Sequence, residues 1–132
     1  MSPEELKYAK THEWIAVEEA AGDKVATIGI SAFAVEALTD LVFIELPEVG
    51  RELSVDESFC EIESVKAVSD IYAPVAGEIV AVNDSLPDNL ETLGDDPYGA
   101  GWIVKIKIAD ESPLADLMDH SAYTKMCAEE AH

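Results

Sequence analysis

Between Glu52 and Val104 the chain carries a single basic residue, Lys66, and twelve acidic ones. That span covers 53 residues and holds no histidine. The overall share of bases would place roughly three there. The lysine is flanked by the small, uncharged Val65 and Ala67, with Glu61, Glu63 and Asp70 close in sequence. Two chemistries compete for such an amine. One is a surface lysine among carboxylates, which contributes little energy. The other is a covalent attachment point. A prosthetic group carried on a lysine amide needs an exposed, sterically open lysine on a rigid turn, and a lone amine prevents attachment at the wrong place. A nucleophilic lysine fits poorly. Carboxylates favour the charged form, whereas activation needs desolvation or neighbouring cations.

Other catalytic constellations are weak. His12, His120 and His132 are scattered, and no pair has metal-ligand spacing. No nucleophile-elbow motif supports a Ser-His-Asp arrangement. Gly99-Ala100-Gly101 precedes an apolar alternating run rather than a helix, so it is no phosphate loop. Glu61 and Glu63 could pose as a hydrolase dyad, but i, i+2 spacing on a strand suits a solvated face better. Asp95-Asp96-Pro97-Tyr98-Gly99 lacks the alternating acids of a calcium loop and reads as a turn. Cys60, in an apolar-acidic strand, is expected to be buried and inert. Cys60 and Cys127 form no C-x-x-C and are expected as two free thiols. Trp14 and Trp102 are expected as core or interface anchors.

The charge balance narrows the partners. Eight Lys+Arg against 28 Asp+Glu give a net charge of −20 over 132 residues. That disfavours nucleic acid and anionic membranes, which both require basic residues. It points to basic docking faces on protein partners and favours a monomer. No apolar run approaches the roughly 18 residues of a membrane span. Met1–Glu5 is acidic and reads as neither a signal peptide nor an Arg-rich transit peptide.

The elements that must position Lys66 are short strands with turn punctuation. Glu13–Glu18 suits an edge strand, Ala21-Gly22-Asp23 a hairpin turn and Lys24–Ile30 the return strand. Ser31 can cap a short helix through Leu38. Leu41–Leu46 reads as a buried strand stopped at Pro47. Phe59–Val65 and Ala67–Val75 read as strands, with Lys66 where their hairpin turn falls. Glu52–Ser58 echoes Glu78–Ser85, and both copies follow a glycine closely. A pseudo-twofold sandwich of two similar halves around a central hairpin explains the echo; chance similarity of amphipathic strands is the alternative. A polar loop follows from Asp84, with a short helix around Pro87–Leu93. Trp102–Ile108 alternates strictly, with Lys105 and Lys107 outward. Ser112-Pro113 is a strong helix start, and Asp119–Glu130 reads as a further helix.

Glu63-Ser64-Val65-Lys66-Ala67 is where a family resemblance becomes specific. The chain resembles the H proteins of the glycine cleavage system from about Leu6 to Tyr123. The matching stretches include Tyr8–Trp14, Ala26–Ile30, Phe43–Gly50, Glu63–Asp70, Tyr72–Glu78, Asp96–Gly99 and Gly101-Trp102. The resemblance implies a mainly β fold, the lipoyl/biotinyl barrel-sandwich hybrid, with pseudo-twofold halves, short helices and a C-terminal helical segment. It implies one lipoyl-carrier domain over 1–132, with a core of about 8–110 and a helical segment of about 112–130.

On this resemblance Lys66 carries lipoic acid in amide linkage, with Glu63, Ser64, Val65 and Ala67 as recognition flanks. Biotin carriers typically place Met on both sides of the lysine, and this chain does not. The implied protein is no enzyme but a carrier for three partners. The P protein, a pyridoxal-phosphate decarboxylase, leaves an aminomethyl group on the arm. The T protein, an aminomethyltransferase, passes that carbon to tetrahydrofolate. The L protein, a dihydrolipoyl dehydrogenase, reoxidises the dithiol. A lipoate-attaching enzyme is the fourth partner, and no metal is implied. The family folds its loaded arm into a surface cleft, which the resemblance maps to His12, Glu13, Ala37 and Asp70. Some relatives have histidine where this chain has Ala37. Ser31–Val35 is less polar than the family pattern, and Leu93-Gly94 stands where an aliphatic-Asn pair is common. The setting implied is the bacterial cytoplasm or the mitochondrial matrix. Other readings that share these residues are a lipoyl relay donor for other acceptors, a small carboxylate-dependent acidic enzyme, and a purely structural interaction domain.

Overall fold

Short alternating segments separated by turn residues give two antiparallel sheets that bury one face each. The computed structural model describes residues 6–9, 12–20, 22–38, 40–65, 67–110, 114–115 and 117–130. In chain order the elements are β1 (Lys7–Tyr8), β2 (Glu13–Ala20), β3 (Asp23–Ile30), α1 (Ala32–Leu38), β4 (Leu41–Glu45) and β5 (Glu52–Leu53). They continue with β6 (Ser58–Ser64), β7 (Val68–Tyr72), β8 (Ala76–Val82), α2 (Glu91–Asp95), β9 (Val104–Asp110) and α3 (His120–Glu130). The larger sheet has the order β1-β2-β3-β9-β8-β5, and the smaller one β4-β6-β7. Ile15, Ile28, Ile79 and Ile106 from the first meet Ile44, Ile62, Ile71 and Phe59 from the second in one buried cluster. This is the expected mainly β sandwich with short helices.

The internal echo has a structural counterpart. Glu52 pairs directly with Glu78, its equivalent in the other copy, across an antiparallel ladder. Equivalent residues can face each other in this way only near a local twofold axis. Gly22 takes a left-handed φ of +86° in the β2–β3 turn, as the hairpin reading requires. Trp14 is fully buried and its indole N–H donates to Pro97 O at 2.9 Å. It lies across from Gly29, where any Cβ would come within 2.6 Å of the indole. The alternation therefore breaks to glycine at the point where the largest side chain crosses the sheet.

Three expectations need adjustment. β2 is not a free edge throughout, because β1 covers Trp14 and Ile15. β4 is not a buried strand. Its register shifts between Leu41 and Phe43, and both Val42 and Phe43 face solvent, while Ile44 alone is fully buried. A bulge adds a residue without adding core to cover it. The loop helix divides into a 3₁₀ turn at Leu86–Asp88 and α2. The helix start at Ser112-Pro113 lies outside the described residues.

A second, smaller core seats α3. Tyr8, Trp14 and Tyr123 are buried there with Leu6, and Met118, Met126, Cys127, Tyr98 and Trp102 pack against them. The rings of Tyr8 and Tyr123 stack at 4.3 Å and 5°. Trp102 is half-buried beneath the Lys105 ammonium, 5.3 Å from the ring centroid.

Candidate functional site

β6 and β7 form the hairpin whose turn was marked by the lone lysine. Their ladder runs from Ser58↔Tyr72 to Glu63↔Val68. Beyond it, the Ser64 N–H donates to Ala67 O at 2.8 Å, and the Ala67 N–H donates to Ser64 Oγ at 3.1 Å. The Ser64 hydroxyl also reaches Ala67 O, at 3.2 Å. Only Val65 and Lys66 intervene in sequence. Lys66 itself lies outside the described residues. The turn is also tied to its neighbour, since the Val65 N–H donates to Asp40 O at 3.0 Å. Two main-chain bonds and the Ser64 hydroxyl thus fix the residues around the tip. Their side chains stay open, with Val65 66% and Val68 59% exposed.

A cavity of about 320 Å³ adjoins this tether. Val35 of α1, Asp40, Leu41, Leu90, Glu91 and Gly94 line it. Its walls come from the two short helices and the start of β4, so it opens beside the residue that anchors Val65.

The outer face of the small sheet is organised in rows. Ile44, Ile62 and Ser69 share one rung, and both isoleucines point into the core. The rungs on either side point outward. Nearer the tip are Phe43, Glu63 and Val68; farther away are Glu45, Glu61 and Asp70. The supposed dyad of Glu61 and Glu63 thus lies on an open face, and among the described residues no group of three His, Cys, Asp or Glu is placed to hold a metal. Beneath the acid row, burial pushes the free Cys60 thiol up to about 12, and the charges of Glu45 and Glu61 add to that shift.

The four residues mapped to an arm cleft sit in different settings. His12 takes a left-handed φ of 79°, held by its N–H donating to Ala9 O and its carbonyl accepting from Ser31 N–H, both at 2.9 Å. Its ring lies 5.1 Å from Phe33, and its Nδ1 is 2.7 Å from the Tyr123 hydroxyl. Glu13 is buried, and its Oε2 accepts a long, 3.5 Å hydrogen bond from the Tyr72 N–H. Asp70 is exposed in the acid row. Ala37 belongs to α1, the helix that contributes Val35 to the cavity.

The structure adds residues that the sequence reading left unremarked. Asp40 acts through its carbonyl, which no side-chain pattern reports. Tyr123 joins three elements. Its hydroxyl meets both Ser31 Oγ and His12 Nδ1. Ser31 also caps α1, accepting the Ala34 N–H at 3.3 Å. Ser31 is fully buried, so its hydroxyl proton needs an acceptor. Donation from Ser31 to Tyr123 and from Tyr123 to His12 Nδ1 uses each hydroxyl proton once. Burial raises the Tyr123 phenol above its ordinary range, which keeps that proton in place.

Known proteins agree with this architecture. Residues 6–130 match the family model described as glycine cleavage H-protein. The chain is 61% identical to the glycine cleavage system H protein of Rhodopirellula baltica over 127 residues, covering 96% of each. It is 51% identical to that of Thermotoga maritima over 124 residues, covering 94% of this chain and 97% of the relative. A crystal structure of the H protein from Mycobacterium marinum superposes with a TM-score of 0.85 at 42% identity, over 96% of this chain and 99% of the other. With a family match over nearly its whole length, and with the same fold as a solved member, this chain belongs to the glycine cleavage H-protein family.

Proposed function

We propose that this chain is the lipoyl carrier of a glycine cleavage system, a non-catalytic component with lipoic acid attached to Lys66. It shuttles the aminomethyl group of glycine from the P protein to the T protein, and the L protein reoxidises its arm. The observation that carries this reading is the braced hairpin tip with open flanks. Ser64 and Ala67 close the turn, Asp40 O holds Val65, and Val65 and Val68 leave the approach unobstructed. A modifying enzyme needs one reproducible geometry at the amine it acylates, and rigid elements provide it. The position of Lys66, the one base in a 53-residue span with twelve acids, supports it as the site.

The group would supply dithiol–disulfide and aminomethyl-transfer chemistry when bound; the protein attaches, orients and shields it. Tethering raises the local concentration of the arm at each docked enzyme. The cavity beside Asp40 offers a resting place next to the attachment point, with Val35, Leu41 and Leu90 as its apolar lining and Asp40 and Glu91 at hand for a cationic group. His12 and Tyr123 serve the same end indirectly, since they hold α3 against the N-terminal end of α1, a wall of that cavity. We place the chain as one carrier domain over 1–132, with Glu63, Ser64, Val65 and Ala67 read by the lipoate-attaching enzyme, in the bacterial cytoplasm.

The test is the intact mass of the chain from a lipoate-competent host, wild type beside Lys66→Arg. One lipoyl-sized increment on the wild type alone, followed by glycine-dependent turnover with the three partner enzymes, is the expected result. An unmodified wild type in the presence of excess lipoate and active ligase refutes it.

A further inference from the structure

On the outer face of the β4-β6-β7 sheet, one outward rung sets Phe43 and Val68 on either side of Glu63, and no part of the described chain covers the two apolar side chains. Phe43 is 47% and Val68 59% exposed, on the rung nearest the hairpin tip, with Val65 beside them at 66%. Val42, displaced by the bulge in β4, adds a further exposed side chain. Large apolar side chains grouped on a sheet face mark interaction surfaces more often than accidents. Two residues farther from the tip, about 7 Å along the strands, Glu45, Glu61 and Asp70 stand directly opposite one another. Like charges paired across strands destabilise a sheet. The sequences of β4, β6 and β7 contain no Lys, Arg or His to relieve them. Arg51 reaches the far end of β6 but is already engaged by Glu57 at 2.8 Å. The bases Lys24, Lys105 and Lys107 lie on the other sheet.

We infer that this face is a two-part docking surface for proteins that act at the tip, each presenting apolar contacts for Phe43, Val65 and Val68, a basic group for Glu63 between them, and further Lys and Arg side chains opposite Glu45, Glu61 and Asp70. The inference rests on the carrier reading, since it takes the tip as the place where partners work. The order of the rows gives the parts different roles. The acid row is exposed, so it acts at long range on encounter and is weakened by salt. The apolar side chains gain only on contact, so they set how long the complex lasts. A second copy of this chain is a poor occupant, because it brings another acid row and a net charge of −20. Because all partners meet the same residues, they exclude one another, and a carrier visits them in turn.

The test uses the full lipoylated chain and two probes, the P protein and the lipoate-attaching enzyme (the latter with the unmodified chain), with surface-coupled binding kinetics at low and high salt. The charge pair Glu61→Gln/Asp70→Asn is expected to lower the association rate about tenfold at low salt, with the difference vanishing at high salt. Phe43→Ala and, independently, Val65→Ser are expected to raise the dissociation rate several-fold at every salt concentration. Thermal unfolding separates these effects from misfolding, and Val65→Ser lies outside any regular strand. The control Glu18→Gln/Glu19→Gln, of equal charge but on exposed β2, is expected to leave the rates within twofold of wild type. The inference is overturned if the control slows association as much as Glu61→Gln/Asp70→Asn, or if both apolar variants dissociate as wild type does. It is also overturned if the P protein and the lipoate-attaching enzyme, offered together to the unmodified chain, bind one molecule of it simultaneously. Lipoylation of the wild type is scored in the same samples, so failure of the carrier reading shows separately as a missing mass increment.

Discussion

Tyr123→Phe removes one oxygen and leaves everything else about α3 in place, so its cost can be worked from the contacts. The phenyl ring keeps its 4.3 Å stack on Tyr8. The lost hydroxyl takes with it the bonds to Ser31 Oγ and to His12 Nδ1. Each net hydrogen bond contributes about 1 kcal/mol, and a buried donor left without an acceptor costs about 1–3 kcal/mol. His12 is half-buried and can turn to water, so its share is small. Ser31 is fully buried and loses the acceptor for its proton while still receiving the Ala34 N–H. The expected destabilisation is therefore about 2 kcal/mol, or about 7 °C in Tm for a chain of this length. Denaturant unfolding gives the first number and calorimetry the second. A double-mutant cycle isolates the cause. Ser31→Ala alone also loses the α1 cap, about 1 kcal/mol. In the Tyr123→Phe background it should cost only that cap, leaving a coupling of about 1 kcal/mol. If Tyr123→Phe shifts stability by less than about 0.5 kcal/mol, or if the two changes add, the hydroxyl does not join α3 to α1 and the reasoning fails.

Gly29→Ala is expected to destabilise by about 1–3 kcal/mol, because a Cβ there meets the Trp14 indole at 2.6 Å and Trp14 is also held by Pro97; a near-native melting curve would show that the indole can move. Ser64→Ala keeps the main-chain bond to Ala67 O but removes the bonds through Oγ, so amide exchange at Ala67 and the rate of lipoylation should respond while global stability falls by only about 1 kcal/mol. Alkaline stability has a definite sign. The Cys60 thiol is raised from 9.0 to about 12, chiefly by burial, and the Tyr98 and Tyr123 phenols are raised for the same first reason. The folded chain keeps protons that the unfolded chain has lost, so stability is full below pH 9 and declines from there towards pH 12; a Tm independent of pH in that window would contradict the burial of these groups. In the same native sample at pH 8, a thiol reagent should label Cys127 well before Cys60.

What the sequence made legible was local. Alternation located β9, the turn at Gly22 marked β3 as its return strand, and Ser31 marked the start of α1, because each is decided by a few adjacent residues. The hairpin tip was legible for a different reason: a lone base in an acidic span is a pattern of composition, visible without any fold. The exposure of β4 was not legible. Leu41–Leu46 is apolar enough to read as core, and only the bulge, a matter of pairing with β6, turns Val42 and Phe43 to solvent together. The part of Tyr123 was hidden for a similar reason. It meets Ser31 and His12 across separations of 92 and 111 residues, and no local signal predicts a contact at that distance.

These two omissions bear on the same function from opposite sides. A carrier must present one residue identically to several enzymes and yet release each of them. On the proposed function, the first demand is met by the main-chain bonds of Ser64 to Ala67 and of Val65 to Asp40, together with the Ser64 hydroxyl, none of which depends on the side chain of Val65. On the docking inference, the second falls to the side chains of the outer face, where Phe43 and Val68 offer limited apolar area and the acids give an attraction that salt can weaken. Rigidity and recognition are thus assigned to different atoms of the same hairpin. Substitutions at Val65, Phe43 or Val68 are therefore expected to retune partner affinity while the geometry of the hairpin tip persists, whereas loss of the Ser64 bracket is expected to disturb that geometry for every partner at once.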